Sequence, residues 1–185
     1  MLNSIEGLAM TLQIDPIGEV VEGRTEVADD YWGGIESVIQ LDESQFPPDA
    51  VQGLDSFSHL IVVWHFNQAS PDDVEYHARS PRGNPAWPAT GTFAHRNHRR
   101  PNQLAQSFPR LIAVDGLRLR VTDLDAVVGT KIYDLSPYFA DMGPRGARRE
   151  PAWPAQMLAD YWVKKQSTHQ PYDALEGGDA SRSSW

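Results

Sequence analysis

A set of short, β-branched runs separated by turn signals limits what this chain can fold into. The strongest is His59-Leu-Ile-Val-Val-Trp-His-Phe66. In an extended strand Leu60, Val62, Trp64 and Phe66 share one face, and His59, Ile61, Val63 and His65 share the other. The even face reads as core. Arg110-Leu-Ile-Ala-Val-Asp-Gly-Leu-Arg-Leu-Arg-Val121 places two alternating runs around Asp115-Gly116, a favoured type I′ pair, and predicts a hairpin. Ile35 to Leu41 and Lys131 to Leu135 read as further strands, and Met10 to Val21 carries a β pattern broken at Pro16. Ser70 to Pro88, rich in Pro, Gly, Arg and Asn, predicts a long loop. One helix is expected over Pro151 to Lys165, with Pro154 in its first turn and Met157, Leu158, Tyr161 and Trp162 as its apolar stripe. The expected fold is mainly β: a small antiparallel barrel or curled sheet with a C-terminal helix. Residues 1–9 read as a loose leader, 10–165 as a single domain and 166–185 as a flexible tail.

Composition narrows the chemistry. The 185 residues include no cysteine, which excludes disulfides, thiolate nucleophiles and Cys-ligated zinc. That suits a reducing, cytoplasmic location. No apolar run approaches the roughly 20 residues of a membrane helix, and the leader lacks a basic n-region. The formal net charge of -9 argues against broad nucleic-acid binding.

Against that background one segment stands out. From Tyr76 to Val114 there is no Asp or Glu, although the chain holds 25 of them. The same stretch carries Arg79, Arg82, Arg96, Arg99, Arg100 and Arg110, with His77, His95 and His98. A local positive field on an acidic protein suits an anion, a phosphate or an RNA strand. Pro101 holds Arg100 extended, so Arg100-Pro-Asn102 presents a guanidinium fork and an amide from a stiff turn. A solvated basic loop explains the same residues equally well. His95 and His98 have no Cys or carboxylate nearby in sequence, and the arginines repel a cation, so no metal site is expected. His59 and His65 lie about 20 Å apart along a strand and cannot share an ion. His59 reads as a strand-end cap, and His65 as the better site residue.

Several separated motifs together resemble the TsaA-like, or TrmO, family of S-adenosylmethionine-dependent methyltransferases. They are Gly53-Leu-Asp-Ser-Phe-Ser-His-Leu60, His65-Phe66, Gly91-Thr-Phe-Ala-His-Arg96, Arg100-Pro-Asn102, Ser107, and Gly129-Thr130 leading to Asp134-Leu-Ser-Pro-Tyr138. The resemblance runs from about Ile17 to Tyr138 and marks a short branch of the family. It implies a small β barrel, a homodimer, and methylation of N6 of a modified adenosine beside the tRNA anticodon. It implies that S-adenosylmethionine contacts Trp32, Gly33, His65, Phe66, Arg96, Arg100, Gln106, Ala126, Val127, Val128 and Gly129. His98, Arg99 and Arg110 are left for an RNA backbone. Asn102 is the candidate to orient the target amine and Tyr138 a candidate helper, with no proton acceptor assigned.

The chain departs from the family pattern at defined places. Gln103-Leu104-Ala105 replaces Pro-Ile-Gly, Val128 replaces the Asp before Gly-Thr, and Lys131 replaces the following Pro. Ser136 stands for a Lys and Asn67 for a His. Ala105 is expected to forfeit the positive φ that Gly adopts easily. A second reading is therefore a degenerate paralogue that binds S-adenosylmethionine or RNA without transferring methyl.

Overall fold

A computed structural model describes residues 12–164. The predicted leader and tail, and the ends Met10, Thr11 and Lys165 of two predicted elements, lie outside the described residues. Seven strands form one antiparallel sheet: β1 (Gly18–Glu22), β2 (Glu36–Leu41), β3 (Leu60–His65), β4 (Leu104–Ser107), β5 (Arg110–Asp115), β6 (Arg118–Thr122) and β7 (Lys131–Pro137). Their order is β4-β3-β7-β1-β2-β6-β5. One short helix, α1 (Trp153–Met157), follows. No described helix is long and apolar enough to cross a membrane.

The parity reading of β3 holds. Leu60, Val62 and Trp64 are buried, and they meet Val20, Ile39, Leu119, Val121, Leu124 and Ile132 in one core. The odd-numbered residues of β3 stay half-buried. Since side chains alternate, a one-residue slip would turn this whole core outward, and the apolar face therefore fixes the register.

Four expectations are corrected. The mainly β fold is present, but the barrel does not close into a continuous ladder. The sheet curls until the start of β5 touches the residue before β3, through a single bridge between His59 and Arg110. There the Leu60 amide donates to the Pro109 carbonyl at 3.0 Å, and the Leu111 amide to the Ser58 carbonyl at 2.9 Å. Beyond that point β5 pairs only with β6, leaving β4 and β5 as free edges. The hairpin turn also sits one residue later than predicted. Asp115 pairs with Arg118, so Gly116 and Leu117 form the loop, and of the two only Gly116 has positive φ, at 54°. That excludes type I′, which needs positive φ at both positions. The first strand is confined to β1, with Leu12 and Ile14 exposed before it.

The predicted helix is cut to five residues. Downstream carbonyls are used elsewhere: Asp160 accepts from the Tyr31 amide at 3.1 Å and Tyr161 from the Trp32 amide at 2.7 Å. A continued helix would have spent those carbonyls internally.

Candidate active site

The C-terminal end of β3 is where His65-Phe66, the Arg96–Asn102 loop and the Gly129-Thr130 turn come together. Phe66 packs edge-on against Trp64, with ring centroids 4.6 Å apart, and the His98 ring stands 5.9 Å from it, also edge-on. The Phe66 amide donates to the Gln103 carbonyl at 3.1 Å. Asn67 reaches the Gly-Thr turn, where its Oδ1 accepts from Thr130 Oγ1 at 3.3 Å. Gly129 has φ of +87°, and a Cβ there would lie 3.4 Å from Asn67 Nδ2. The short amide at position 67 thus fits against a backbone that only glycine adopts without strain. Ala126 and Val127 are buried beneath this turn, and the Val128 amide donates to the Arg24 carbonyl at 2.8 Å. His65 faces Tyr133 edge-on at 6.5 Å.

The arginine loop is folded onto β4. Arg96 Nη2 donates to the Gln106 carbonyl at 2.6 Å. Arg100 donates through Nε to the Asn97 carbonyl at 3.4 Å and through Nη2 to the Leu104 carbonyl. Burial, then the Arg96 charge beside it, lowers the Arg100 pKa. Neither guanidinium is ion-paired among the described residues. Arg79 shares the neighbourhood: its Nη2 bonds Asn97 Oδ1 at 3.2 Å, while its buried Nη1 has no partner among the described residues. Arg99 pairs with Glu75 at 3.4 Å, on the surface. Asn102 is exposed at the turn. The positive φ expected to matter at Ala105 occurs instead at Gln103, at 48°. Ala105 lies in β4 opposite Trp64, where extended backbone suits any L residue. Gln103 is buried in its left-handed conformation, and its Nε2 donates to the Ser70 carbonyl at 2.8 Å. His95 and His98 have separate surroundings: His95 Nε2 lies 3.1 Å from Thr90 Oγ1 and is buried.

The first loop, between β1 and β2, buries Trp32 and Gly33 and leaves Tyr31 and Gly34 exposed. Trp32 is 4% exposed, its Nε1 donates to the Ala28 carbonyl at 3.0 Å, and the Arg24 guanidinium covers its ring at 4.5 Å. A Cβ on Gly33 would sit 1.8 Å from the Trp162 carbonyl oxygen, so the C-terminal segment presses directly on this loop.

The group that ties these parts together is Asp125, which opens the turn ending in Gly129-Thr130 and for which sequence reasoning had no separate role. Its Oδ1 accepts from Ser107 Oγ and its Oδ2 from the Tyr161 hydroxyl, the latter at 2.6 Å. Ser107 Oγ in turn accepts from Trp64 Nε1 at 2.9 Å. Burial, then the Asp125 charge, raises the Tyr161 pKa above its ordinary 10.0, and the nearby Arg96 and Arg82 charges oppose that rise. Ser107 and the turn containing Asp125 were already visible as motif residues. Nothing in the sequence joined them to Tyr161, which read as part of a helix stripe.

Two candidates lie elsewhere. The Tyr138 amide donates to the His59 carbonyl at 2.9 Å, and the Tyr138 ring meets Phe108 at 5.9 Å. Arg110 bridges the same His59. Both are therefore at the opposite end of β3 from Phe66, about 20 Å away along the strand. Nor do the two evident depressions combine residues 96–106 with 126–129. One, of about 550 Å³, borders the first loop and includes Arg24, Tyr31, Gly33 and Lys164. The other, of about 380 Å³, lies between Gly18, Gln40 and Lys131.

Residues 29–143 match the family described as the tRNA-methyltransferase O N-terminal domain. The chain belongs to the TrmO family. Among its relatives is RcsF of Pseudomonas aeruginosa, named as an S-adenosylmethionine-dependent methyltransferase, 31% identical over 83% of this chain and 66% of that protein. The tRNA (adenine(37)-N6)-methyltransferase of Escherichia coli is 38% identical over 52% of this chain and 43% of its own. A crystal structure of TrmO from P. aeruginosa superposes with a TM-score of 0.63 at 24% identity, over 79% of this chain and 63% of that one, which establishes the shared fold. The chain thus spans two thirds or less of the TrmO relatives named here.

Proposed function

We propose that this protein is an S-adenosylmethionine-dependent methyltransferase acting on N6 of an adenine in the tRNA anticodon loop, as a cytoplasmic homodimer. The observation that carries the reading is the convergence of Phe66, His98, the Arg96–Arg100 pair and the Gly129-Thr130 turn on one end of β3. The residues fit the cofactor by charge. Two adjacent guanidiniums, neither ion-paired among the described residues, favour a carboxylate such as that of the cofactor's amino-acid end. Arg24 covers Trp32, which leaves Phe66 as the aromatic face for a sulfonium. In this reading His65, Gln106 and the backbone of residues 126–129 shape the rest of the pocket, and Trp32 and Gly33 hold its outer loop. When bound, S-adenosylmethionine supplies a methyl group activated on a sulfonium.

The protein's part is then alignment, since in-line displacement depends strongly on proximity. Asn102, exposed beside the arginine loop, would orient the amine. His98 and Arg99 face the phosphates, and Arg99 can exchange its exposed Glu75 partner for one, because surface ion pairs are worth only about 0–1 kcal/mol. Arg110, at the far end of β3, would meet RNA outside the target nucleotide. Tyr138 sits with it, away from the methyl-transfer end.

Calorimetric titration with S-adenosylmethionine is the primary test, and no binding at high micromolar cofactor refutes the proposal. Transfer of labelled methyl to total tRNA then separates an enzyme from a binding-only paralogue. Light scattering reporting a single 20.7 kDa chain would remove the homodimer.

A further inference from the structure

The segment after α1 makes a set of contacts that a loosely packed end would not. Tyr161 sends its hydroxyl to Asp125 at 2.6 Å, while its own carbonyl accepts from Trp32 at 2.7 Å. Asp160 accepts from Tyr31 at 3.1 Å, and the Trp162 carbonyl occupies the space a Cβ on Gly33 would need. Further back, Gln156 Oε1 accepts from Trp87 Nε1 at 2.9 Å. These residues lie beyond the 29–143 span that matches the family.

We infer that Tyr161 is a positioning residue for the cofactor site: by anchoring the C-terminal segment on Asp125, it makes residues 160–164 a fixed outer wall that holds the 31–34 loop against the 125–129 turn. Three features of the contact set carry this. The anchor is a carboxylate hydrogen bond at a half-buried phenol, a strong type of bond whose loss leaves the Asp125 carboxylate short of a donor. Asp125 stands at the start of the turn assigned to the cofactor, and through Ser107 it is joined to β4, against which Arg96 is braced. The strap also consumes the Tyr31 and Trp32 amides, so without it that loop loses its partners.

The inference rests on the cofactor reading above, and its test separates the two. Tyr161→Phe removes one oxygen and keeps the ring. Gln156→Ala removes the bond that ties the same segment to Trp87, a residue outside the assigned cofactor set. Amide hydrogen exchange on the free protein and calorimetric titration with S-adenosylmethionine are measured on both variants and the parent. Tyr161→Phe is expected to speed exchange at residues 31 and 32, and to weaken cofactor binding, each by about tenfold, the size of effect of losing one charge-assisted hydrogen bond. Gln156→Ala should move both in the same direction by less. Unchanged exchange at 31 and 32 in Tyr161→Phe overturns the inference. So does faster exchange with unchanged affinity, which makes the contact purely structural, or with tighter binding, which makes the segment a plug. A parent protein that binds no cofactor refutes the proposed function itself, a result distinct from a parent that binds while Tyr161→Phe binds equally well.

Discussion

Replacing Ser107 with alanine should destabilise the fold by about 3 kcal/mol, because one hydroxyl serves both the buried Trp64 indole and the half-buried Asp125 carboxylate. Ser107 is 5% exposed and Trp64 is 3% exposed, so water cannot replace the lost partner. The indole Nε1–H would be left without its 2.9 Å acceptor, a penalty of about 1–3 kcal/mol. Asp125 would lose a charge-assisted donor worth about 1.5–3 kcal/mol. The two do not add fully, since they share one atom. For a chain of this length 3 kcal/mol lowers the melting midpoint by about 6–12 °C. Urea denaturation of four proteins decides it: parent, Ser107→Ala, Trp64→Phe and the double variant. Trp64→Phe removes the stranded donor, so Ser107→Ala should cost less on that background, by about 1 kcal/mol or more. Strict additivity, or a Ser107→Ala loss below about 1 kcal/mol, refutes the chain of bonds from Trp64 through Ser107 to Asp125.

Arg100→Ala should weaken S-adenosylmethionine binding by about tenfold by calorimetry, and if both cofactor and RNA affinity are unchanged the loop is misassigned. Gly129→Ala, at φ of +87° with Asn67 Nδ2 3.4 Å from the new Cβ, should cost about 1–2 kcal/mol in urea denaturation. Tyr161 supplies a pH test. Its folded pKa is raised, so its contribution is complete below the unfolded value near 10 and is lost as pH rises towards the folded value. Stability should therefore fall above about pH 10 by up to about 1.4 kcal/mol per unit from this group, and Tyr161→Phe should flatten that fall. Tyr161 should resist ionisation in an ultraviolet titration until the protein unfolds.

How far the molecule could be read from its sequence follows from the range of the forces involved. β3 was legible because its period-2 burial is local: each apolar residue at an even position reports its own face. The convergence of Phe66, the arginine loop and Gly129-Thr130 was legible through the order of motifs, not through any pairwise physics. What escaped was set by partners far away in the chain. Helix propensity in residues 158–164 lost to the unpaired amides of Tyr31 and Trp32, some 130 residues earlier. The hairpin turn moved by one residue because the pairing of Asp115 with Arg118, and not the dipeptide, fixes the loop. Arg110 belonged to the acid-free stretch by sequence, yet its position in β5 carries it to the other end of β3. The left-handed backbone fell at Gln103, where burial and a bond to Ser70 hold it, and no residue type announced it.

The place of β7 in the sheet has a consequence for how the chain assembles. It lies between β3 and β1, so it alone joins the β4-β3 pair to the four strands β1, β2, β6 and β5 through the ladder. It is also the last of the described strands to be synthesised. Until Lys131–Pro137 has emerged, a nascent chain holds a two-stranded and a four-stranded piece, each with an open edge awaiting the same partner. Such late, long-range pairing makes folding slow and exposes unpaired edges to other chains. Truncation before residue 131 should accordingly give aggregation, whereas truncation after residue 137 should leave all seven strands with their ladder partners.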